Sequence, residues 1–291
     1  MSELEPIARA MVAPHKGILA ADESSPTIKK RFDSIHVEST EENRRSYREL
    51  LFTTPDIEEF VSGVILYDET LRQKAADGTP FPKLLERRGI LPGIKVDAGA
   101  KALAGAAGEQ VTEGLDKLRE RLAEYKGFGA RFAKWRAVIE IGDGLPSDYC
   151  IDTNAHALAR YAALCVEGGI VPIVEPEVLM DGPHTIERCY EVTERTLRSV
   201  FAALYAQHVP LEQTILKPNM VLSGTECARQ AGVREVAEQT LRCLRASVPA
   251  AVPGIVFLSG GQGDEEATAH LNEMKPAAAL PLLKGGRGVV Q

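Results

Sequence analysis

Short apolar runs alternate with longer amphipathic segments along the chain, and this alternation constrains its fold more than any other feature. Seven runs are rich in Ile, Val and Leu, and most are continuously apolar, as strands buried on both faces of a sheet are. They occupy residues 17–21, 61–67, 93–96, 130–135, 170–174, 214–216 and 254–258. Strands that alternate with helices predict a parallel α/β domain.

The segments between these runs predict helices and loops. Residues 184–208 place apolar side chains largely three or four positions apart, with Glu and Arg on the other face, and residues 112–124 do likewise. Residues 98–110 and 140–153 are the least regular and are predicted to be long loops. A last helix, with an acidic first turn and apolar residues facing inward, is predicted over 264–274.

The number of strands favours a TIM (β/α)₈ barrel over an open doubly wound sheet. A chain of 291 residues is long enough, because such barrels need about 250. No Gly-x-Gly-x-x-Gly motif follows the first run, so the phosphate loop of a dinucleotide-binding sheet is missing. No linker rich in Pro, Ser or Gly divides the chain, and we predict one domain over residues 1–291, with 1–15 as an N-terminal segment.

Charge and composition limit the partners of this chain. It has 34 Lys and Arg against 41 Asp and Glu, a net charge of −7, which argues against nucleic acid but allows a small anion in a local cluster of cations. The five cysteines are scattered without a C-x-x-C pair, as is typical of reduced cytosolic thiols. No signal-peptide pattern and no apolar stretch of about 18 residues is visible, so we predict a cytoplasmic protein without a membrane partner.

Charged and polar side chains follow the predicted strands, where a parallel barrel places its active site. Three of them are lysines in or beside strand runs, which is unusual because lysine is seldom buried without a partner. The candidates are Asp22, Glu23, Ser24, Asp68, Glu69, Lys95, Asp97, Lys134, Arg136, Glu175, Glu177, Lys217, Ser259, Gly260 and Gly261.

Lys217 is the most specific of these candidates. It follows two apolar residues and precedes Pro218, which indicates a partly desolvated position at the mouth of the barrel. Desolvation and a neighbouring cation such as Lys134 lower a lysine pKa and make the amine a nucleophile toward carbonyls. The alternative is a structural lysine whose head pairs with Glu175 or Glu177.

The other candidates also have two interpretations each. Glu175 and Glu177 would point to one face of a regular strand, where they could move protons, but the proline between them allows a turn. Asp22 is either a reactive carboxylate or a helix N-cap. The turn from Ser259 to Gly261 offers a hydroxyl and unhindered backbone N–H groups, which suits a phosphate.

Other chemistries find no support in the sequence. The six histidines show no H-x-H or H-E-x-x-H spacing, so we predict no metal site and no cofactor. No Gly-x-Ser-x-Gly elbow is present, and no interleaving of basic and aromatic residues suggests nucleic acid.

Nine motifs, in order along the chain, together resemble the class I fructose-1,6-bisphosphate aldolases. Single motifs of this kind are weak evidence, whereas nine in the family's order are specific. They are KGILAADES (16–24), EENRRSYRELLFTT (41–54), GVILYDETLRQKAADGTPF (63–81), GIKVD (93–97), TEGLD (112–116), FAKWRAV (132–138), VPIVEPE (171–177), LKPNMV (216–221) and PGIVFLSGGQ (253–262).

The resemblance implies a TIM barrel that reversibly cleaves fructose 1,6-bisphosphate, a step of glycolysis, into dihydroxyacetone phosphate and glyceraldehyde 3-phosphate without a metal. It implies that Lys217 forms a Schiff base with the substrate ketone and that Glu175 and Lys134 move protons during imine formation. Asp22 would take the hydroxyl proton as the carbon–carbon bond breaks, and Glu177 would support the lysine cluster. The family also implies a homotetramer.

The resemblance further implies two phosphate sites. Ser24, Lys95 and Arg136 would hold the substrate and its distal phosphate. Ser259 and Gly260 would bind the phosphate next to the ketone.

The chain departs from the family pattern at three places. Pro26 replaces a usual glycine, and Ala98 replaces a usual lysine. After Met274 the family continues into an eighth strand ending in Ser-Tyr-Gly-Arg, whereas residues 277–291 are atypical. We therefore expect the eighth strand and the closing helix to be incomplete, and we assign no role to Arg287.

Two alternatives follow from these departures. One is a Schiff-base aldolase for another phosphorylated sugar, such as fructose 1-phosphate. The other is a catalytically weak or inactive aldolase-like chain that serves as a binding or scaffold protein or is a truncated product, since unpaired strand edges invite partners.

Overall fold

The parallel sheet that the sequence predicts is present in the structure. The computed structural model of the chain describes residues 3–277. Its strands are β1 (Gly17–Ala21), β2 (Val61–Leu66), β3 (Leu91–Lys95), β4 (Ala100–Ala102), β5 (Gln110–Thr112), β6 (Phe132–Ile139), β7 (Val171–Val178) and β8 (Ile215–Leu216). Six of them form one parallel sheet in the order β1-β2-β3-β6-β7-β8, while β4 and β5 form a separate antiparallel hairpin.

Helices connect the strands of the sheet and cover its outer face. They are α1 (Leu4–Met11), α2 (Ser25–Ser34), α3 (Glu41–Phe52), α4 (Ile57–Phe60), α5 (Asp68–Arg72), α6 (Phe81–Arg87), α7 (Leu118–Gly127), α8 (Asp148–Gly168), α9 (Ile186–Ala206), α10 (Val233–Ser247) and α11 (Asp264–Ala277). Hydroxyl side chains cap three of them, since Thr40, Ser147 and Thr185 each accept a backbone N–H of the first turn.

The seventh predicted run continues the sheet beyond β8. Leu216 pairs with Ile255 in a parallel bridge, and the N–H of Val256 donates to the carbonyl oxygen of Leu216 at 2.9 Å. All seven runs therefore lie side by side in chain order, which confirms the predicted α/β barrel architecture.

The concave side of the sheet holds a core of its own. Side chains from strands on both sides of the curl meet there, and α1 covers them from one end. This cluster contains Leu4, Ala8, Met11, Val12, Ile18, Ala20, Ile65, Phe132, Val171, Ile173, Ile215 and Val256. A second core, on the convex side, packs the strands against the helices and includes the stacked rings of Trp135 and Tyr161. Burial on both faces explains why the strand runs are continuously apolar.

Two glycines make room for the largest side chain of the inner core. A Cβ atom at Gly93 would lie 2.2 Å from the ring of Phe132, and one at Gly63 would lie 2.9 Å from it. The glycines therefore allow β2 and β3 to lie against this ring.

The structure corrects several local predictions. Residues 98–110 are not simply a loop, because β4 and the start of β5 form a hairpin there. The helix predicted over 112–124 begins only at Leu118, and residues 140–153 already include the start of α8 at Asp148. The predictions for the long α9 and for α11 are confirmed.

The described residues fill seven positions of the barrel. Within this part of the chain, β1 pairs with β2 alone, and no described strand lies at its other edge. The predictions for residues 278–291 lie outside the described residues. Among residues 3–277, no helix combines the length and apolar character needed to cross a membrane.

Candidate active site

Four charged side chains meet on the concave side of the sheet, level with the carboxyl ends of β1 and β8. Asp22 follows β1, Lys134 lies in β6, Glu175 lies in β7 and Lys217 follows β8. The alternation of side chains along a strand directs these residues to the concave side. All four are at least nine-tenths buried.

These side chains form one chain of alternating charge. Lys217 Nζ lies 3.0 Å from Glu175 Oε1, Glu175 Oε2 lies 3.2 Å from Lys134 Nζ, and Lys134 Nζ lies 2.9 Å from Asp22 Oδ2. Two cations and two anions balance one another, which is the condition under which charges tolerate burial.

The cluster holds its carboxylates ionised and keeps Lys134 protonated. Burial alone would raise the pKa of Asp22 and of Glu175, but Lys134 and Lys217 outweigh it and lower both values. Burial would lower the pKa of Lys134, but Asp22 and Glu175 outweigh it and raise that value. Lys134 is therefore a fixed positive charge between two carboxylates.

The side chain of Lys217 lies beside a small apolar cavity. A small cavity that its side chain helps to line is otherwise bounded by Ile18, Ala20, Ile65, Ile173, Val256 and Phe257. The aliphatic stem is thus surrounded by the inner core, and the amine reaches the polar cluster above it.

The structure decides between interpretations that the sequence left open. Glu175 and Glu177 both lie within strand β7, so the alternative prediction of a turn at the proline between them is wrong. Ser24 is the N-cap residue of α2, so the interpretation of Asp22 as an N-cap is also wrong. The ion pair expected between Lys217 and a glutamate exists, with Glu175 as the partner.

Lys95, Arg136 and Glu177 form the rim of this cluster. Lys95 Nζ lies 3.2 Å from Asp97 Oδ1, and Arg136 forms an ion pair with Glu177. Glu177 was expected to support the lysine cluster, and among residues 3–277 its ion pair is with Arg136. The side chains of Lys95 and Arg136 are 18% and 41% exposed, so both cations face the mouth.

The predicted phosphate turn closes the seventh strand position. Gly260 and Gly261 have φ angles of +66° and +103°, which side chains other than glycine's rarely adopt. Gln262 Nε2 donates to the carbonyl oxygen of Ser259 at 2.6 Å, and Gln262 Oε1 lies 2.6 Å from His270 Nδ1. The turn is therefore held from α11. Ser24, at the start of α2, lies 3.0 Å from Thr27 Oγ1.

Sequence reasoning missed several buried polar residues around the site. Arg48 on α3 binds the segment that contains Asp22. Asn219 Oδ1 accepts the N–H of Val178, which ties the end of β7 to the segment after Lys217. Arg48 had a detectable signal, because it lies one helical turn before the buried Phe52 on an otherwise polar helix.

Comparison with known proteins identifies the family of this chain. A model of the class I fructose-bisphosphate aldolases matches residues 3–281. The chain belongs to this family. A probable fructose-bisphosphate aldolase class 1 from Xanthomonas campestris pv. campestris is 64% identical over 97% of the chain and 84% of its own length. A cytosolic fructose-bisphosphate aldolase 6 from Arabidopsis thaliana is 59% identical over 90% of the chain and 73% of its own length.

A solved aldolase structure has the same fold. The fructose-bisphosphate aldolase of Plasmodium falciparum, in a ternary crystal structure with TRAP and a small-molecule inhibitor, matches with a TM-score of 0.95 and 50% identity. The match covers 98% of this chain and 84% of the other. The family and the aldolase function that the nine motifs indicated are thereby confirmed. In this aldolase, no group of three or more His, Cys, Asp and Glu side chains among residues 3–277 is arranged to hold a metal ion.

Proposed function

We propose that this aldolase cleaves fructose 1,6-bisphosphate through a Schiff base on Lys217. The observation that carries the proposal is the buried chain of charges that joins Lys217, Glu175, Lys134 and Asp22. The amine adds to the ketone carbon, and loss of water gives a protonated imine. This imine accepts the electron pair of the carbon–carbon bond as that bond breaks.

Glu175 is the proton carrier for imine formation. It is ionised, lies 3.0 Å from Lys217 Nζ and can accept the proton that the amine must lose. The same carboxyl then returns a proton to the departing hydroxyl. Lys134, fixed as a cation on its other side, stabilises the carboxylate between these steps.

Asp22 is the base for carbon–carbon cleavage. Its lowered pKa keeps it ionised, and it lies at the end of the charge chain opposite Lys217. It removes the proton of the hydroxyl next to the breaking bond. Glyceraldehyde 3-phosphate is released, and protonation and hydrolysis of the remaining enamine release dihydroxyacetone phosphate.

The rim and the glycine turn hold the two phosphates. Lys95 and Arg136 keep partly exposed positive charge beside the reacting groups, and with the Ser24 hydroxyl they bind the distal phosphate. The turn of Ser259, Gly260 and Gly261 binds the ketone-side phosphate through its hydroxyl and backbone N–H groups.

The family supports a broader setting for this activity. We propose a homotetramer in the cytoplasm that acts in glycolysis, in line with curated relatives that are named cytosolic aldolases. Light scattering of the purified protein would measure the mass of the assembly, and a monomer of 31.5 kDa would contradict the tetramer.

A cleavage assay on variants tests the mechanism. The wild type is expected to release both triose phosphates in equal amounts from fructose 1,6-bisphosphate, whereas Lys217→Met is expected to fold and to release neither. Lys83→Met, which changes an exposed lysine of α6, is the matched control and should retain full activity. Cleavage by Lys217→Met at the wild-type rate would overturn the mechanism, and preferred cleavage of fructose 1-phosphate would change the substrate.

A further inference from the structure

A buried arginine binds the backbone on both sides of Asp22. The side chain of Arg48 is 2% exposed. Its Nε donates to the carbonyl oxygen of Ala21 at 3.0 Å, and its Nη2 donates to the carbonyl oxygen of Glu23 at 3.1 Å. The guanidinium therefore bridges the residues immediately before and after Asp22.

This segment belongs to no regular element. β1 ends at Ala21, and α2 begins at Ser25, so Asp22 and Glu23 lie in the connection between them. The direction of the Asp22 side chain consequently depends on what holds the neighbouring peptide groups. Arg48 supplies this support from α3.

The helix that carries Arg48 is firmly packed. Phe52, one turn further along α3, is fully buried and lies edge-to-face against Phe81, with ring centroids 5.2 Å apart. The guanidinium thus extends from an anchored helix toward the barrel mouth. A movement of α3 would be transmitted directly to the Asp22 segment.

A shared carboxylate balances the charge of the guanidinium. Glu23 Oε2 lies 2.9 Å from Arg48 Nη2, and Glu23 Oε1 lies 2.5 Å from Arg31 Nη1 on α2. Without this carboxylate, burial of the Arg48 charge would be unfavourable. The carboxylate of Glu23 offsets the cost of burying the Arg48 charge. The two carbonyl contacts hold the backbone on either side of Asp22 and thereby orient its side chain.

We propose that Arg48 is a positioning residue that holds Asp22 in contact with Lys134 for carbon–carbon cleavage. The proposal rests on the base role assigned to Asp22 under the proposed function. An arginine suits this task because its planar fork donates in several fixed directions, whereas a lysine at the same place has a single nitrogen and cannot reproduce the bridge.

The test compares two lysine substitutions on one helix. Arg48→Lys keeps the charge but removes the bridge, and Arg45→Lys changes an arginine of α3 whose ion pairs are with Glu42 and Glu49. For Arg48→Lys we expect kcat for cleavage to fall about tenfold or more, with KM changed less than about twofold, because a small misplacement of a reacting group is costly. Arg45→Lys should match the wild type.

A partial reaction separates positioning from general damage. Trapping of dihydroxyacetone phosphate by borohydride needs imine formation at Lys217 but not the cleavage step. Its rate in Arg48→Lys should stay within about twofold of the wild type, because Glu175 and Lys134 are untouched. Equal losses in trapping and cleavage would show a merely structural arginine and would overturn the proposal, as would unchanged cleavage.

Two further variants distinguish a failure of the positioning proposal from a failure of the base role proposed for Asp22. Asp22→Asn should lose cleavage, and if it does not, the base role of Asp22 fails and the positioning proposal fails with it. If Asp22→Asn is inactive while Arg48→Lys cleaves normally, only the positioning proposal fails. Glu23→Gln removes the ion pair but not the two carbonyl acceptors, so it should lower the free energy of unfolding, because the buried guanidinium loses its counter-charge, while the folded protein keeps its kcat. A loss of kcat as large as that of Arg48→Lys would contradict the bridge. If Arg48→Lys does not fold, Arg48→Gln takes its place, because its single amide nitrogen also cannot bridge the two carbonyl oxygens; it should lose cleavage but keep trapping, and unchanged cleavage would overturn the proposal.

Discussion

Lys134 and Lys217 share one carboxylate but differ in their other partners. Lys134 contacts both Asp22 and Glu175, whereas the ion pairs of the described residues give Lys217 only Glu175. Two carboxylates hold the proton of Lys134 and raise its pKa. This asymmetry supports the proposed mechanism, in which Lys134 stays charged and Lys217 is the amine that reacts.

Replacement of Lys134 tests whether this residue acts as the permanent cation beside Asp22 and Glu175. In Lys134→Met, the buried carboxylates of Asp22 and Glu175 lose their common cation. Removal of one partner of a buried ion pair typically lowers the free energy of unfolding by about 3–5 kcal/mol. We expect that loss in urea unfolding, together with a fall in kcat of about 100-fold. Lys83→Met on the surface is the control, and a kcat for Lys134→Met close to that of the wild type would contradict the assignment.

The lowered pKa of Asp22 predicts a pH-dependent contribution to stability. A carboxyl whose folded pKa lies below its ordinary value of 3.8 stabilises the fold above that value, and the contribution is lost as pH falls through the folded pKa. The stability difference between wild type and Asp22→Asn should therefore shrink as pH falls from 6 toward about 3.5, by no more than about 0.6 kcal/mol.

Unfolding titrations in urea at several pH values measure this difference. Asp33→Asn, which changes an exposed aspartate paired with Lys29, is the control and should show a smaller pH dependence. A difference between wild type and Asp22→Asn that grows on acidification would contradict the lowered pKa.

Single residues show where sequence reasoning succeeds and where it stops. Asp22, Lys134, Glu175 and Lys217 could be found because each lies at the carboxyl end of an apolar run. The pairing of Glu177 with Arg136 could not be found, because ion-pair partners depend on the strand register. Arg48 was missed because it lies on a helix that looks polar, far along the chain from Asp22.

At the scale of elements, the packing of β2, β3 and β6 depends on one ring and two glycines. The predicted consequence is that Gly93→Ala destabilises the protein by about 1–3 kcal/mol or more, because the new methyl group meets the ring of Phe132. Phe132→Leu in the same chain should relieve part of this cost, so the two substitutions should not be additive.

Urea unfolding of the single and double variants measures this coupling. Gly127→Ala is the matched control, because a Cβ atom at Gly127 on α7 would meet open space. Strictly additive effects of Gly93→Ala and Phe132→Leu would show that the ring does not occupy the space beside Gly93.

The predicted boundaries of the elements agree with the structure only where the composition of the sequence changes sharply. β1 occupies residues 17–21 as predicted, because polar residues bound the run on both sides. β7 continues beyond its apolar run to Val178 because it stays paired with β6 that far, and its two glutamates form ion pairs with Arg136 and Lys217. The hairpin of β4 and β5 escaped prediction because its strands are short and rich in small or polar residues.

At the scale of the whole molecule, the order of the strands brings distant residues into one site. Asp22 and Lys217 are far apart in sequence, but the curl of the sheet brings the ends of β1 and β8 to a common mouth. The net charge of −7 is not concentrated at the mouth, because Lys95, Lys134, Arg136 and Lys217 balance the four carboxylates with which they pair. The alternation of elements predicted this convergence, although it could not predict the distances.

The most direct test of the Schiff-base mechanism is the position of the trapped substrate. Borohydride reduction in the presence of dihydroxyacetone phosphate, followed by peptide mass mapping, should place one covalent adduct on Lys217 and none on Lys95 or Lys134. An adduct on either of those lysines, or no adduct in a protein that still cleaves fructose 1,6-bisphosphate, would contradict the Schiff-base mechanism at Lys217.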